Sequence, residues 1–514
     1  MILNIPMAKN GRSIFALCLL LTLTITFQSC KKSRSDMGKT LFLKTKNKVF
    51  KDVTPEGFTP IFQEVLAQQK SKLNNAAIIS AYYQSNEFDP TLVMDHFPND
   101  DVKAILNCYN KANQHGLDPR IFQTAEIDTL LHRFYNKKGI KNLNEAYRDI
   151  AQLELLLANS LINYSNAMQY GVINPRKIYA RYFTQTKRPD SIFMNHVFAV
   201  TNFKSYLDSI QPTDPQYLAI QKSLQDGYTA PGMTTQETQR VLAVNLERLR
   251  WKNKPSESRY VIVNIPDFQL NIMNAGKSEL NMKVCVGEGR NKDHANTLVE
   301  YDDSDKVDRP FSRETPQLNS MINEAQVNPV WNIPESIAGK EIIVEAQKDP
   351  YYLSNKNINV YKNGKLIEDP ETIKWDANSA TEYSFKQQPG ADNSLGKIKF
   401  LFPNKSSVYL HDTPAKLAFN QSMRAISHGC VRLEKPLDFA KALFGDGTKK
   451  YTLVEKLMSE DKVEPTDLAI SPKVPVYITY ITCWADESGQ LQFRPDVYGL
   501  DIVLFAHLQK MAGM

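Results

Sequence analysis

Cysteine is scarce: six in 514 residues, with no C-x-x-C pair among them. That spacing excludes a dense disulfide framework and the usual zinc-ribbon patterns. Charge of one sign is also lacking, since 62 basic and 56 acidic residues leave a formal net charge of only +6. No basic stripe interleaved with aromatics is present, so no nucleic-acid partner is expected. No repeat of roughly 20 to 50 residues marks a solenoid or propeller. No internal segment is apolar enough to span a bilayer. The length implies two or more domains, each able to bury a full core.

The N-terminus carries the one marked apolar run. Lys9 and Arg12 precede Ile14 to Phe27, which at 14 residues is too short for a comfortable span and fits the central region of an export signal. The run ends Phe27-Gln28-Ser29-Cys30, which resembles a bacterial lipoprotein signal with Cys30 as the lipidated first residue. Plain signal cleavage is the alternative. Either reading puts the mature chain outside the cytoplasm. The lipoprotein reading makes it periplasmic and held to a membrane by an acyl anchor. Cys18 leaves with the signal, so Cys108, Cys285, Cys430 and Cys483 remain, and Cys285 with Cys483 is the one candidate disulfide.

Residues 31–54 are polar and basic and read as a tether. From 55 to 251 the pattern is helical: Ala146, Ile150, Leu153, Leu157, Leu161, Tyr164 and Met168 recur at three- and four-residue spacing, and Gly171 follows as a stop. A helix from Val102 to His115 ends at Gly116, and Thr234 with Glu237 caps a last helix running to Trp251. These stripes read as packed core without evident chemistry. From 258 to 505 the period becomes that of strands. Arg259–Ile265, Leu280–Val286, Lys397–Phe402, Ser407–Leu410 and Val476–Thr482 are the clearest, and Val476–Thr482 with Leu491–Phe493 flank the turn Asp486–Gly489 as a hairpin. Residues 289–314 read as an inserted surface loop. Residues 335–385 open with a helix and read as an insertion folded against the sheet as a lid. The expected fold class is therefore α+β, an all-helical N-terminal domain followed by a mostly β domain with an inserted capping segment.

The chemistry concentrates in Tyr409-Leu410-His411-Asp412-Thr413-Pro414 and Ser427-His428-Gly429-Cys430-Val431-Arg432. A nucleophilic cysteine needs a base for its proton and a turn that leaves the sulfur accessible. His411 ends a strand nineteen positions before Cys430, far enough for a loop to return the thiol beside it, so an imidazole–thiol pair able to form thiolate and imidazolium is expected. Gly429 allows the tight turn, where N–H groups can face an oxyanion, and Arg432 can favour the thiolate or bind a carboxylate. Polar residues on both sides of Cys430 argue against a buried structural thiol. Zinc on His411, His428 and Cys430 is the rival, although the spacing is unusual and no fourth ligand is evident.

The two segments closely resemble the signature of L,D-transpeptidases with a YkuD-type catalytic domain, in which an upstream His is followed by Ser/Thr-His-Gly-Cys. Asn328–Pro334, Gln388–Asn393, Phe400–Asn404, Phe493–Asp496 and His115–Pro119 also resemble the large multidomain branch of that family. The resemblance implies that Cys430 attacks a peptidoglycan stem at its third residue and expels the terminal D-alanine. It implies His411 as base, His428, Gly429 and Arg432 as site-shaping residues, and backbone amides around Gly429 and Cys430 as the oxyanion site. Tyr409 and Trp331 are further candidates for substrate contact. A second stem's amine would resolve the thioester to a 3→3 cross-link, with no metal or organic cofactor. Water as acceptor would instead make a carboxypeptidase or endopeptidase, and a silent wall-binding lipoprotein is the non-enzymatic alternative. No peptidoglycan-binding module is evident between residues 190 and 250.

Overall fold

The computed structural model describes residues 36–289, 308, 313–376, 378–460 and 464–513. The expected export signal with Cys30, and most of the expected 289–314 insertion, lie outside the described residues. The expected tether does not hold over its second half. Met37–Thr45 is a helix and Lys48–Asp52 a 3-10 turn, because Met37, Leu41, Phe50 and Val53 are buried in the helical core. Four apolar residues in a basic stretch were enough to fold it.

The helical part is arranged around Leu143–Tyr170, whose apolar positions run on almost every turn, with Gly171 at φ 74° ending it. The expected helix before Gly116 divides into Asp101–Tyr109 and a 3-10 turn, Ala112–His115. Gly116 is required twice over: its φ is 70°, and a Cβ there would lie 2.7 Å from Ala243 Cα. Thr235–Arg250 is the last long helix of this part, and its cap is as read, with Glu237 N–H donating to Thr234 Oγ1 at 3.1 Å.

Fifteen strands follow in the described residues: β1 (Arg259–Asn264), β2 (Gln269–Asn274), β3 (Lys277–Gly287), β4 (Leu318–Val327), β5 (Trp331–Ile333), β6 (Ile358–Lys362), β7 (Lys365–Leu366), β8 (Tyr383–Gln387), β9 (Ile398–Leu401), β10 (Leu410–His411), β11 (Ala425–Ser427), β12 (Val431–Leu433), β13 (Thr466–Thr479), β14 (Cys483–Ala485) and β15 (Leu491–Phe493). Nine of them form one sheet in the order β11-β3-β12-β10-β9-β4-β13-β1-β2. The long β3 pairs with β2 as well as β12, so the sheet closes on itself and most of its edge disappears. The β2–β3 turn uses Ala275 and Gly276, both at positive φ, as a tight hairpin requires.

The hairpin near the C-terminus is built differently from the expectation. β13 belongs to the large sheet, and β15 pairs with β14 instead. Thr482 leaves the sheet because its polar groups are taken elsewhere: its N–H and Oγ1 meet Asn245, and Oγ1 donates to Asp501 at 2.6 Å.

The capping insertion is a separate small sheet, β5-β8-β6-β7, with its own core of Ile337, Ile342, Ile343, Leu353, Val360, Trp375 and Phe385. Its opening helix passes through a π turn at Ala338–Ile342. The helical part and the large sheet share one continuous core. Across their junction Arg248 pairs with Asp501, and Tyr179 donates to the carbonyl of Leu500 at 2.8 Å. Cys285 and Cys483 are both free and buried in different clusters, so they do not pair.

Candidate active site

His411 reaches the site because Leu410 is buried in the sheet core and alternation turns its neighbour to the opposite face. β10 lies between β9 and β12, in the register Leu410 with Phe400 and Val431, and His411 with Lys399 and Arg432. Residues directly opposite share a face. Lys399, His411 and Arg432 therefore make a straight row across three strands, while Phe400, Leu410 and Val431 make the core row behind it.

Cys430 stands just before β12, where Val431 N–H donates to Tyr409 O at 3.1 Å. The turn before it is fixed by hydroxyls. Ser427 Oγ donates to Cys430 O at 2.6 Å and accepts from Gly429 N–H at 3.3 Å, and Thr315 Oγ1 donates to Gly429 O at 2.8 Å. Thr315 is itself held by Gly287 N–H at 2.8 Å and by Tyr498. Gly429 has φ 115°, a backbone state that side chains rarely tolerate. Its N–H is already engaged, so the expected oxyanion donors reduce to the amide of Cys430.

The residues around the sulfur differ from the simple cysteine–histidine pair. Tyr409 faces the thiol with its hydroxyl and its backbone, and its ring stands edge-on to His411 with centroids 5.6 Å apart. Among the described residues no hydrogen bond joins His411 to Cys430. His411 Nδ1 instead bonds the carbonyl of Asp412, and the carbonyl of Leu395 also lies against the ring. Asp412 is in turn pinned: Lys397 N–H donates to Oδ2 at 2.9 Å, Thr413 N–H to Oδ1 at 2.7 Å, and Lys416 Nζ pairs with Oδ1.

Electrostatics set the resting protonation. Burial pushes the Cys430 thiol up to about 11, against the opposite pull of Tyr409, Arg432 and Lys399. Burial and then the Arg432 guanidinium pull His411 down to about 4. The resting pair is thus a neutral thiol beside a neutral imidazole, not the thiolate–imidazolium pair expected. Burial of both groups, with Arg432 beside His411, is the cause that sequence spacing could not supply.

His428 is engaged with the cap. Its Nε2 meets Glu341 Oε1 at 2.6 Å, and Arg313 Nη2 meets the same oxygen at 2.9 Å. Glu341 lies on the π turn of the cap, so this cluster clasps the cap to the loop carrying Cys430. Trp331 packs against the cap's core and pairs through β5 with Gln387, so its contacts are with the cap. Lys399, Asp412, Thr315 and Glu341 were missed by sequence reasoning. For Lys399 a signal existed, because Lys397-Ile398-Lys399 alternates and places its lysines opposite the core face. For Glu341, 87 residues from His428, none existed. Among the described residues no group of three or more His, Cys, Asp or Glu could hold a metal ion.

Comparison with known proteins agrees with this geometry. Residues 258–454 match the YkuD family, described as the L,D-transpeptidase catalytic domain, and residues 77–224 match the family described as the Scaffold domain. A Haemophilus influenzae protein named "Putative L,D-transpeptidase" is 27% identical over 355 residues, covering 68% of this chain and 66% of that protein. The chain thus spans just under two thirds of the length of that curated relative.

Proposed function

Because residues 258–454 belong to the YkuD family of L,D-transpeptidase catalytic domains, we propose that this chain is a peptidoglycan L,D-transpeptidase. It forms 3→3 cross-links through a thioester on Cys430. The observation that carries this reading is the convergence of Tyr409, His411, Cys430 and Arg432 on one face at the β10–β12 seam.

The chemistry follows from the neutral resting pair. As a donor stem binds and tightens the site, His411 accepts the thiol proton while Sγ attacks the carbonyl carbon of the third stem residue. The N–H of Cys430 donates to the oxyanion, and the Tyr409 hydroxyl stabilises the sulfur as it gains charge. The bond to the terminal D-alanine breaks, and the imidazolium returns its proton to the departing amine. The side-chain amine of a second stem then attacks the thioester and gives its proton to His411. The new amide forms as sulfur leaves, and the imidazolium reprotonates it. No cofactor is needed for either half.

Incubation of the purified chain with disaccharide-tetrapeptide is expected to give cross-linked dimers and free D-alanine. Trimmed monomers alone would instead identify water as the acceptor, and intact substrate would favour a wall-binding lipoprotein. We further propose export to the periplasm with Cys30 as lipid anchor. Incorporation of labelled palmitate is expected, and its retention in Cys30→Ser would contradict the assignment.

A further inference from the structure

Two cations on the face of His411 have no ion-pair partner among the described residues. Arg432 donates no hydrogen bond to any described residue and makes no ion pair with one; Glu341 acts on it only at longer range, and its buried Nε is without an acceptor. Lys399 has its ammonium 5.6 Å from the centroid of the Tyr409 ring and makes no ion pair with a described carboxylate. Asp467 and Glu324 act on it only at longer range, and Asp467 already accepts from Gln326 Nε2 at 2.6 Å. Both cations are largely buried, and burial draws both below their usual values. Desolvated charges of this kind are costly to leave unpaired. Two of them, both acting on Cys430, point to an anion supplied from outside the chain.

Their spacing suits one carboxylate. The register puts Lys399 and Arg432 on either side of His411, with Cα atoms about 10 Å apart at two strand spacings. Their long side chains can close most of that gap. If the attacked carbonyl lies at Sγ, a carboxylate one residue further along lies about 4 Å away, one Cα step, within the space the two cations flank.

We propose that Lys399 and Arg432 together form the subsite for the carboxylate of the leaving residue, which confines cleavage to the last peptide bond of the donor. This rests on the transpeptidase reading for the identity of the peptide. The binding claim can be tested apart from the chemistry.

The test uses the full chain carrying Cys430→Ala, titrated calorimetrically with the tetrapeptide as free acid and as C-terminal carboxamide. The acid is expected to bind roughly 10- to 100-fold more tightly, the range of charge-assisted hydrogen bonds. Adding Lys399→Met is expected to weaken the acid by about tenfold or more and the amide less than about twofold, and Lys399→Arg to keep most of the preference. Equal affinity for acid and amide in the parent, or equal weakening of both by Lys399→Met, would overturn the subsite. A lysine-dependent acid preference in a chain whose intact Cys430 forms no thioester would uphold the subsite and sink the transpeptidase reading instead.

Discussion

At Cys430 the thiol is held near 11 and at His411 the imidazole near 4, so between those limits the unliganded site has neither thiolate nor imidazolium. Labelling of Cys430 by iodoacetamide, followed by peptide mass, should therefore rise about tenfold per pH unit from pH 6 to 9. A plateau below pH 7 would indicate a preformed ion pair. The sign for stability is fixed as well. His411 is lowered from 6.5 in the folded state, so its contribution is present above 6.5 and is lost as pH falls towards 4. A Cβ at Gly429 meets nothing closer than 3.6 Å, so Gly429→Ala has room and suffers only from its φ. A loss of about 1–3 kcal/mol is expected in urea unfolding, and a neutral result would mean that the turn relaxes. Cys430, His411 and Arg432 were legible in the sequence because one short segment carries them. Tyr409 was legible there too, as a candidate for substrate contact, whereas Lys399 gained its meaning only when the register set it beside that segment.

Among elements, the cap is tied to the rest of the β part by contacts of two kinds. Asn393 is 1% exposed. Its Nδ2 donates to the carbonyls of Pro329, Gln387 and Gln388, and its Oδ1 accepts from Leu395 N–H. It ties both ends of the insertion to the sheet. Asn393→Ala should cost about 1–3 kcal/mol for the buried groups left unsatisfied, read as a lower melting temperature and faster proteolysis within the cap. The Glu341 clasp is partly exposed and should behave differently. Glu341→Ala should raise amide exchange across residues 335–348 while moving global stability by less than about 1 kcal/mol. Unchanged exchange would show that the clasp does not restrain the cap. The existence of the insertion was legible from its helix and flanking strands. Its independent core was not, because β5, β6 and β8 are brought together only by tertiary pairing.

For the whole molecule, the helical part and the sheet are joined by buried polar groups. Arg248 and Asp501 are almost fully buried and paired, with Thr482 and Asn245 bonded alongside. Asp501→Ala should cost about 3–5 kcal/mol by stranding the guanidinium, and Arg248→Met with Asp501→Leu should recover most of the loss. A small effect in thermal unfolding would mean that water replaces the partner. Helix periodicity and strand alternation made the two parts visible in the sequence. Their junction was hidden because it depends on charged residues that look like ordinary surface. The second half of the expected tether was hidden for the converse reason, too few apolar residues to stand out.

The covalent role proposed for Cys430 is open to intact-mass measurement after exposure to disaccharide-tetrapeptide. A mass gain equal to the donor less its terminal D-alanine is expected, localised to Cys430, absent in Cys430→Ala and strongly slowed in His411→Ala. An unmodified chain after prolonged exposure, or an adduct on another residue, would contradict it.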